Sequence, residues 1–126
     1  MKILALDYGE KRIGLAVSDE SHTLARELDI LSPREFWNCI SRLIIENQIS
    51  QIVLGWPLNM SGKRTAKTNE VENFKLKVEN KTGLKVEIAD ERLSSVMALN
   101  IRKHKKNIDS LAAQIFLQNY LNKMKN

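Results

Sequence analysis

The chain has 126 residues, enough for one domain (residues 1–126) with a buried core, and its 43% hydrophobic and 28% charged residues are ordinary for a globular protein. One cysteine excludes an intrachain disulfide, and no apolar run approaches the length of a membrane span. The formal net charge of +5 allows an anionic partner, yet a lysine excess of this size is also common on solvated surfaces. No basic stretch followed by a hydrophobic run and a small-residue cleavage site opens the chain, so no secretory signal and no membrane partner are expected, and the cytoplasm is the expected location.

In chain order, Ile3 to Leu6 is an apolar run that ends in Asp7, Tyr8 and Gly9, and Ile13 to Val17 is a second run after a short polar turn. The pair reads as a β-hairpin whose first strand is buried on both faces. Side chains alternate along a strand, so Ile3, Ala5 and Asp7 share one face and Leu4, Leu6 and Tyr8 the other. Asp7 has two readings: a turn acid beside a glycine, or a carboxylate at the end of an interior strand that needs a positive partner. Thr23 to Ile30 predicts a third, edge strand. Ser32-Pro33 predicts a helix start, with Ser32 as N-cap and Pro33 in the first turn, and Phe36, Cys39, Ile40, Leu43 and Ile44 then form one apolar face ending near Asn47. Cys39 on that stripe reads as buried filler. His22 and His104 show no zinc-type spacing with it, so any metal would be held by oxygen.

Gln51 to Gly55 predicts a fourth strand, and the stretch from Trp56 to Lys67, with Pro57, Asn59 and Gly62, predicts a loop carrying Lys63, Arg64 and Lys67. Thr68 or Asn69 starts a second helix with Val71, Phe74 and Val78 buried, and Thr82-Gly83 ends it. Leu84 to Ile88 alternates as a fifth strand, followed by Asp90, Glu91 and Arg92. Ser94 or Ser95 caps a short helix to about Asn100, Arg102-Lys103-His104-Lys105-Lys106 is a basic run, and a last helix covers Asp109 to about Met124.

The order β-β-β-α-β-α-β-α-α implies an α/β fold with a mixed sheet and helices on both faces. Right-handed crossovers give the strand order 3-2-1-4-5, with the second strand antiparallel, a layout shared with the ribonuclease H-like superfamily. The first, fourth and fifth strands then end at one rim, where ligand sites of such sheets lie. The first and fifth strands would stand about 9–10 Å apart, two inter-strand spacings. Gly55 leaves the gap between them without a side chain, and carboxylates reaching into it suit two divalent ions about 3.5–4 Å apart. Asp109, at the start of the last helix, is the natural third acid. Each acid also has a plain structural role: Asp109 as a helix cap, Asp90 and Glu91 beside Arg92 as exposed ion pairs, the basic runs as solvated faces.

Four segments carry a family resemblance. They are Leu4 to Asp19 (LALDYGEKRIGLAVSD), Gly55 to Gly62 (GWPLNMSG), Asp90 to Ser95 (DERLSS) and the segment from Asp109 to Gln118 (DSLAAQIFLQ). Their sequence and order resemble the YqgF family, also called RuvX, of ribonuclease H-like nucleases. The departures are Trp56 where the family has leucine, and Ser94-Ser95 for a threonine pair. Trp56 offers a bulkier surface on which a base could stack. The segment between Asn100 and Asp109 is short.

The resemblance implies a phosphodiester-cleaving nuclease with Asp7, Glu91 and Asp109 as catalytic and metal-binding acids, using two Mg²⁺ or Mn²⁺ ions. Lys11, Arg12, Lys63, Arg64, Arg102, Lys103, Lys105 and Lys106 would hold the phosphate backbone. Gly9 and Gly55 would keep space near the phosphate, and Asp90 would position Glu91 or Arg92 without touching metal, with Arg92 structural near the site. The family is associated with maturation of the 5′ end of precursor 16S ribosomal RNA, and an older assignment is cleavage of Holliday junctions. Precursor ribosomal RNA is the favoured partner and branched DNA the alternative, with a monomer or a homodimer left open. Two further classes fit the residues less well: an actin-like ATP-binding fragment, which needs a second domain, and a binding module without catalysis.

Overall fold

The computed structural model describes residues 1–56, 66–90 and 108–124. Its organising element is β1 (Lys2–Tyr8), the middle strand of a five-stranded sheet in the order β3-β2-β1-β4-β5. On one side β1 pairs antiparallel with β2 (Ile13–Ser18), which pairs antiparallel with β3 (Ala25–Leu31). On the other it pairs parallel with β4 (Ile49–Trp56), which pairs parallel with β5 (Val86–Asp90). The strand order and direction are those expected from the sequence. Ile3, Leu4, Ala5 and Leu6 have no solvent exposure, because helices cover both faces of the central strand.

Strand alternation divides the core in two. Leu4, Leu6, Ile13, Leu15, Ile52 and Leu54 face α1 (Pro33–Glu46) and α2 (Ala66–Thr82). Ile3, Ala5, Ala16 and Val53 face α3 (Ile108–Met124), which contributes Ala113, Phe116, Leu117 and Leu121. The small residues on this second face let the helix lie close to the sheet.

The start of α1 follows from its first residues. Ser32 Oγ accepts from the Glu35 amide at 3.2 Å, and Glu35 Oε1 accepts from the Ser32 amide at 3.1 Å, a reciprocal capping box ahead of Pro33. The Ser32 amide foremost, and then the Ser32 hydroxyl, hold the Glu35 carboxyl below the usual carboxylate range. Cys39 is half-buried against the α1 side of the core, and desolvation pushes its thiol upward, as befits packing rather than reactivity.

Several boundaries differ from the expectation. β3 starts at Ala25 rather than Thr23 because Asp19 Oδ1 accepts from the Thr23 and Leu24 amides, at 2.7 and 3.2 Å, and keeps both in the turn. β4 extends to Trp56, which was expected to open a loop, and α2 starts at Ala66, ahead of Thr68. β5 is displaced two residues toward the C-terminus. Gly83 has φ +74°, and the Leu84 amide bonds Thr82 Oγ1, so the connection consumes Leu84 before the strand begins. The short helix expected near Ser94 lies outside the described residues.

Candidate active site

β1, β4 and β5 run parallel and end at a common rim, with Trp56 opposite Asp90 in the last pair between β4 and β5. Asp7 is the penultimate residue of β1. By alternation it shares a face with Ile3 and Ala5, the face covered by α3. Its partner in the antiparallel ladder is Gly14. On the parallel side Leu6 is opposite Leu54, so the next step along both strands sets Asp7 beside Gly55, whose own partner in β5 is Ala89. The half-buried carboxylate thus has a glycine on each neighbouring strand. Gly14 escaped the sequence reading of the site, although its odd–even match with Asp7 across the hairpin was there to be used.

α3 begins at Ile108 and packs on the same face of the sheet as Asp7. Near the other end of the helix, the Tyr120 hydroxyl accepts from Gln51 Nε2 at 2.8 Å and donates to Glu87 Oε2 at 2.5 Å. Both partners lie in the early parts of their strands. Gln118 adds bonds at the start of β3: its Oε1 accepts from the Ala25 amide at 2.9 Å and its Nε2 donates to the Thr23 carbonyl at 2.8 Å. Gln114 Nε2 donates to the Ala25 carbonyl at 3.1 Å, so α3 crosses from the early parts of β4 and β5 toward the start of β3, on the face that holds Asp7. Asp109 stands in the first turn of the helix. Burial raises the Tyr120 phenol above its ordinary value, and the bond to Glu87 raises it further.

Lys11 and Arg12 are exposed in the turn between β1 and β2, just beyond the rim. Gly9 in that turn has a structural reason of its own: a Cβ there would stand 2.6 Å from the Arg12 carbonyl oxygen, so the turn closes only around a bare residue. Glu91 directly follows the last residue of β5, but it lies outside the described residues, as do Arg92, Lys63, Arg64, Arg102, Lys103, Lys105 and Lys106. Asp90 ends β5.

Among the described residues no three acids, histidines or cysteines cluster as a metal site, so Asp7 is the one proposed ligand whose surroundings are described. Those surroundings fit a hard divalent ion. The donor is a carboxylate oxygen, and neither neighbouring strand sets a Cβ beside it.

Architecture and rim together define a ribonuclease H-like protein. The fold is similar to that of *T. thermophilus* RuvC bound to a Holliday junction substrate (TM-score 0.65, 13% identity, 100% of this chain and 97% of that one). It is also similar to the fowlpox virus Holliday junction resolvase (TM-score 0.55, 12% identity, 98% and 99%). The family model described as "RuvX: Holliday junction resolvase" matches residues 1–123, and the chain belongs to that family. Among its relatives, a *Maridesulfovibrio salexigens* protein is 39% identical over 96% of this chain and 98% of its own length. One from *Carboxydothermus hydrogenoformans* is 38% identical over 97% and 96%. Both carry the name "Putative pre-16S rRNA nuclease".

Proposed function

We propose that the protein is a metal-dependent endonuclease, folded as one domain over residues 1–126, that processes the 5′ end of precursor 16S ribosomal RNA. The observation that carries this reading is Asp7, set between Gly14 and Gly55 at the rim where β1, β4 and β5 end. The names of the relatives, similar to this chain over nearly their whole length, support the RNA substrate.

Asp7, Glu91 and Asp109 would hold Mg²⁺ or Mn²⁺, with Asp90 positioning Glu91 or Arg92. Bound there, the ions would supply a water of lowered pKa and offset the negative charge that gathers on the phosphate during cleavage. The chain's own contribution is placement. The rigid central strand fixes one carboxylate, the two glycines admit a phosphate beside it, and Lys11 and Arg12 grip the backbone as it enters. The remaining cations, Lys63, Arg64, Arg102, Lys103, Lys105 and Lys106, would extend that grip electrostatically.

The family description favours a second reading, a Holliday junction resolvase acting on branched DNA as a homodimer that cuts two strands. A parallel cleavage assay on precursor ribosomal RNA, generic single-stranded RNA and four-way DNA junctions decides between them. Faster cleavage of the precursor at its 5′ end is the expected result. Faster cleavage of the junction would replace the RNA reading. Among the described residues no helix is long and apolar enough to cross a membrane, and we place the protein's work in the cytoplasm, as a monomer or a homodimer.

A further inference from the structure

Tyr8 follows Asp7 but faces the opposite side of the sheet, where it borders a cavity of about 340 Å³, near the lower end of the range for ligand pockets. The walls are aromatic. Tyr8 and Phe74 have ring centroids 4.6 Å apart, Trp37 and Phe74 5.5 Å, and the fully buried Ile13 also lines the space. Pro33 adds to the apolar wall, and the polar lining is Glu10 from the β1–β2 turn with Glu70, Asn73 and Lys77 from successive turns of α2. All four are exposed, and within the described residues no hydrogen bond or ion pair ties them to another group. Glu70 and Glu10 are close enough to Tyr8 that, after burial, their charges are what raise its phenol above the ordinary value.

We propose that this cavity is a subsite for a guanine base of the nucleic-acid strand, a role that rests on the nuclease reading above. Aromatic side chains offer a base a surface on which to stack. The two carboxylates disfavour a phosphate in the mouth but accept hydrogen bonds, while Lys77 donates and Asn73 can do either. Guanine is the base that presents two adjacent donors, N1–H and the 2-amino group, next to an acceptor, O6. Adenine and cytosine set a ring-nitrogen acceptor beside their amino group, which a carboxylate repels, and uracil has a single donor between two acceptors. The position suits a substrate strand as well. Tyr8 directly follows Asp7, so the cavity lies at the same end of β1 as the candidate site, on the other face of the sheet. Aromatic rings with carboxylates also suit an organic cation. Lys77 in the mouth argues against that occupant.

The test reads Trp37 fluorescence in a Trp56→Phe protein with a chelator present, so that no strand is cut. The probes are uridine-tract RNAs carrying one guanosine, one inosine or one adenosine, and spermidine alone. The guanosine RNA should quench Trp37 and bind about tenfold more tightly than the adenosine RNA, with inosine, which lacks the 2-amino group, between them. Glu10→Gln with Glu70→Gln, both at exposed positions, should erase the preference while the melting temperature stays in place. Equal affinity for the guanosine and adenosine RNAs, a preference that survives the double substitution, or quenching by spermidine at RNA-free sites would each overturn the proposal. Cleavage of the same RNAs with Mg²⁺ or Mn²⁺ restored is scored separately. Cutting without base preference sinks the guanine subsite and leaves the nuclease, whereas guanine preference without cutting does the reverse.

Discussion

Asp7 and Gly14 are direct partners across the β1–β2 ladder, so on that side the carboxylate looks over bare backbone. Among the described glycines only Gly83 has a positive φ, so Gly14 is not required by its backbone angles. Gly14→Ala should leave thermal stability unchanged or slightly raised, since alanine restricts the unfolded chain. Cleavage should nonetheless fall at least about tenfold, as the added methyl displaces what the carboxylate must meet. Parallel melting and cleavage curves check the split.

Asp7→Asn keeps the size of the side chain and removes its charge. Divalent-dependent cleavage should be abolished, while the melting temperature and RNA affinity in chelator stay near those of the parent. Full activity in a preparation free of contaminating nuclease would remove Asp7 from the chemistry.

Tyr120→Phe deletes the hydroxyl that joins Gln51 to Glu87. The variant should lose about 1–3 kcal/mol in urea unfolding, because two partly buried polar groups lose their partner. The parent also carries an alkaline signature here. The folded phenol is raised, so its contribution is fully present below the pKa of an unfolded tyrosine and declines as pH rises from there through the folded value. In Tyr120→Phe that decline should be smaller.

Lys11→Ala with Arg12→Ala tests the grip on phosphate. If each contacts one phosphate of a single strand, the slope of log affinity against log salt should become shallower by about 1.4. An unchanged slope would reduce both residues to a solvated turn.

Asp19 titrates in the opposite sense to Tyr120. The Thr23 amide foremost, and then the Leu24 amide and the Ser21 hydroxyl, hold its carboxyl below the ordinary aspartate value. Its contribution is therefore present above the unfolded pKa and is lost as pH falls through the folded one. Asp19→Asn retains an acceptor oxygen but not the titration, so the acid arm of its stability curve should be flatter than the parent's.

Local patterns made much of the fold legible. Ser32-Pro33 marks the start of α1 because a capping box is written in neighbouring residues, and the run from Ile3 to Leu6 reads as a doubly covered strand because both faces are apolar. The start of β3 was not legible, since it depends on which amides the Asp19 side chain captures. Nor was β5: Ile88 fits the alternation of a buried face yet is 37% exposed, because the strand lies at the edge of the sheet. At the candidate site, the position of Asp7 near the end of β1 was readable from an acid closing an apolar run. The bonds from Gln51 and Glu87 to Tyr120, which orient α3, join residues 69 and 33 positions apart, and no local pattern encodes them. The aromatic cavity behind Tyr8 is hidden for the same reason, with its walls drawn from β1, α1 and α2.

The burial of β1 has a kinetic consequence. Its amides are bonded to strands on both sides and its central residues are sealed on both faces, so they should exchange hydrogen with solvent only when the whole protein opens. Asp7 is thereby carried on the most firmly held strand among the described residues. Whatever accommodation a bound strand demands must be made by the parts that come to meet it.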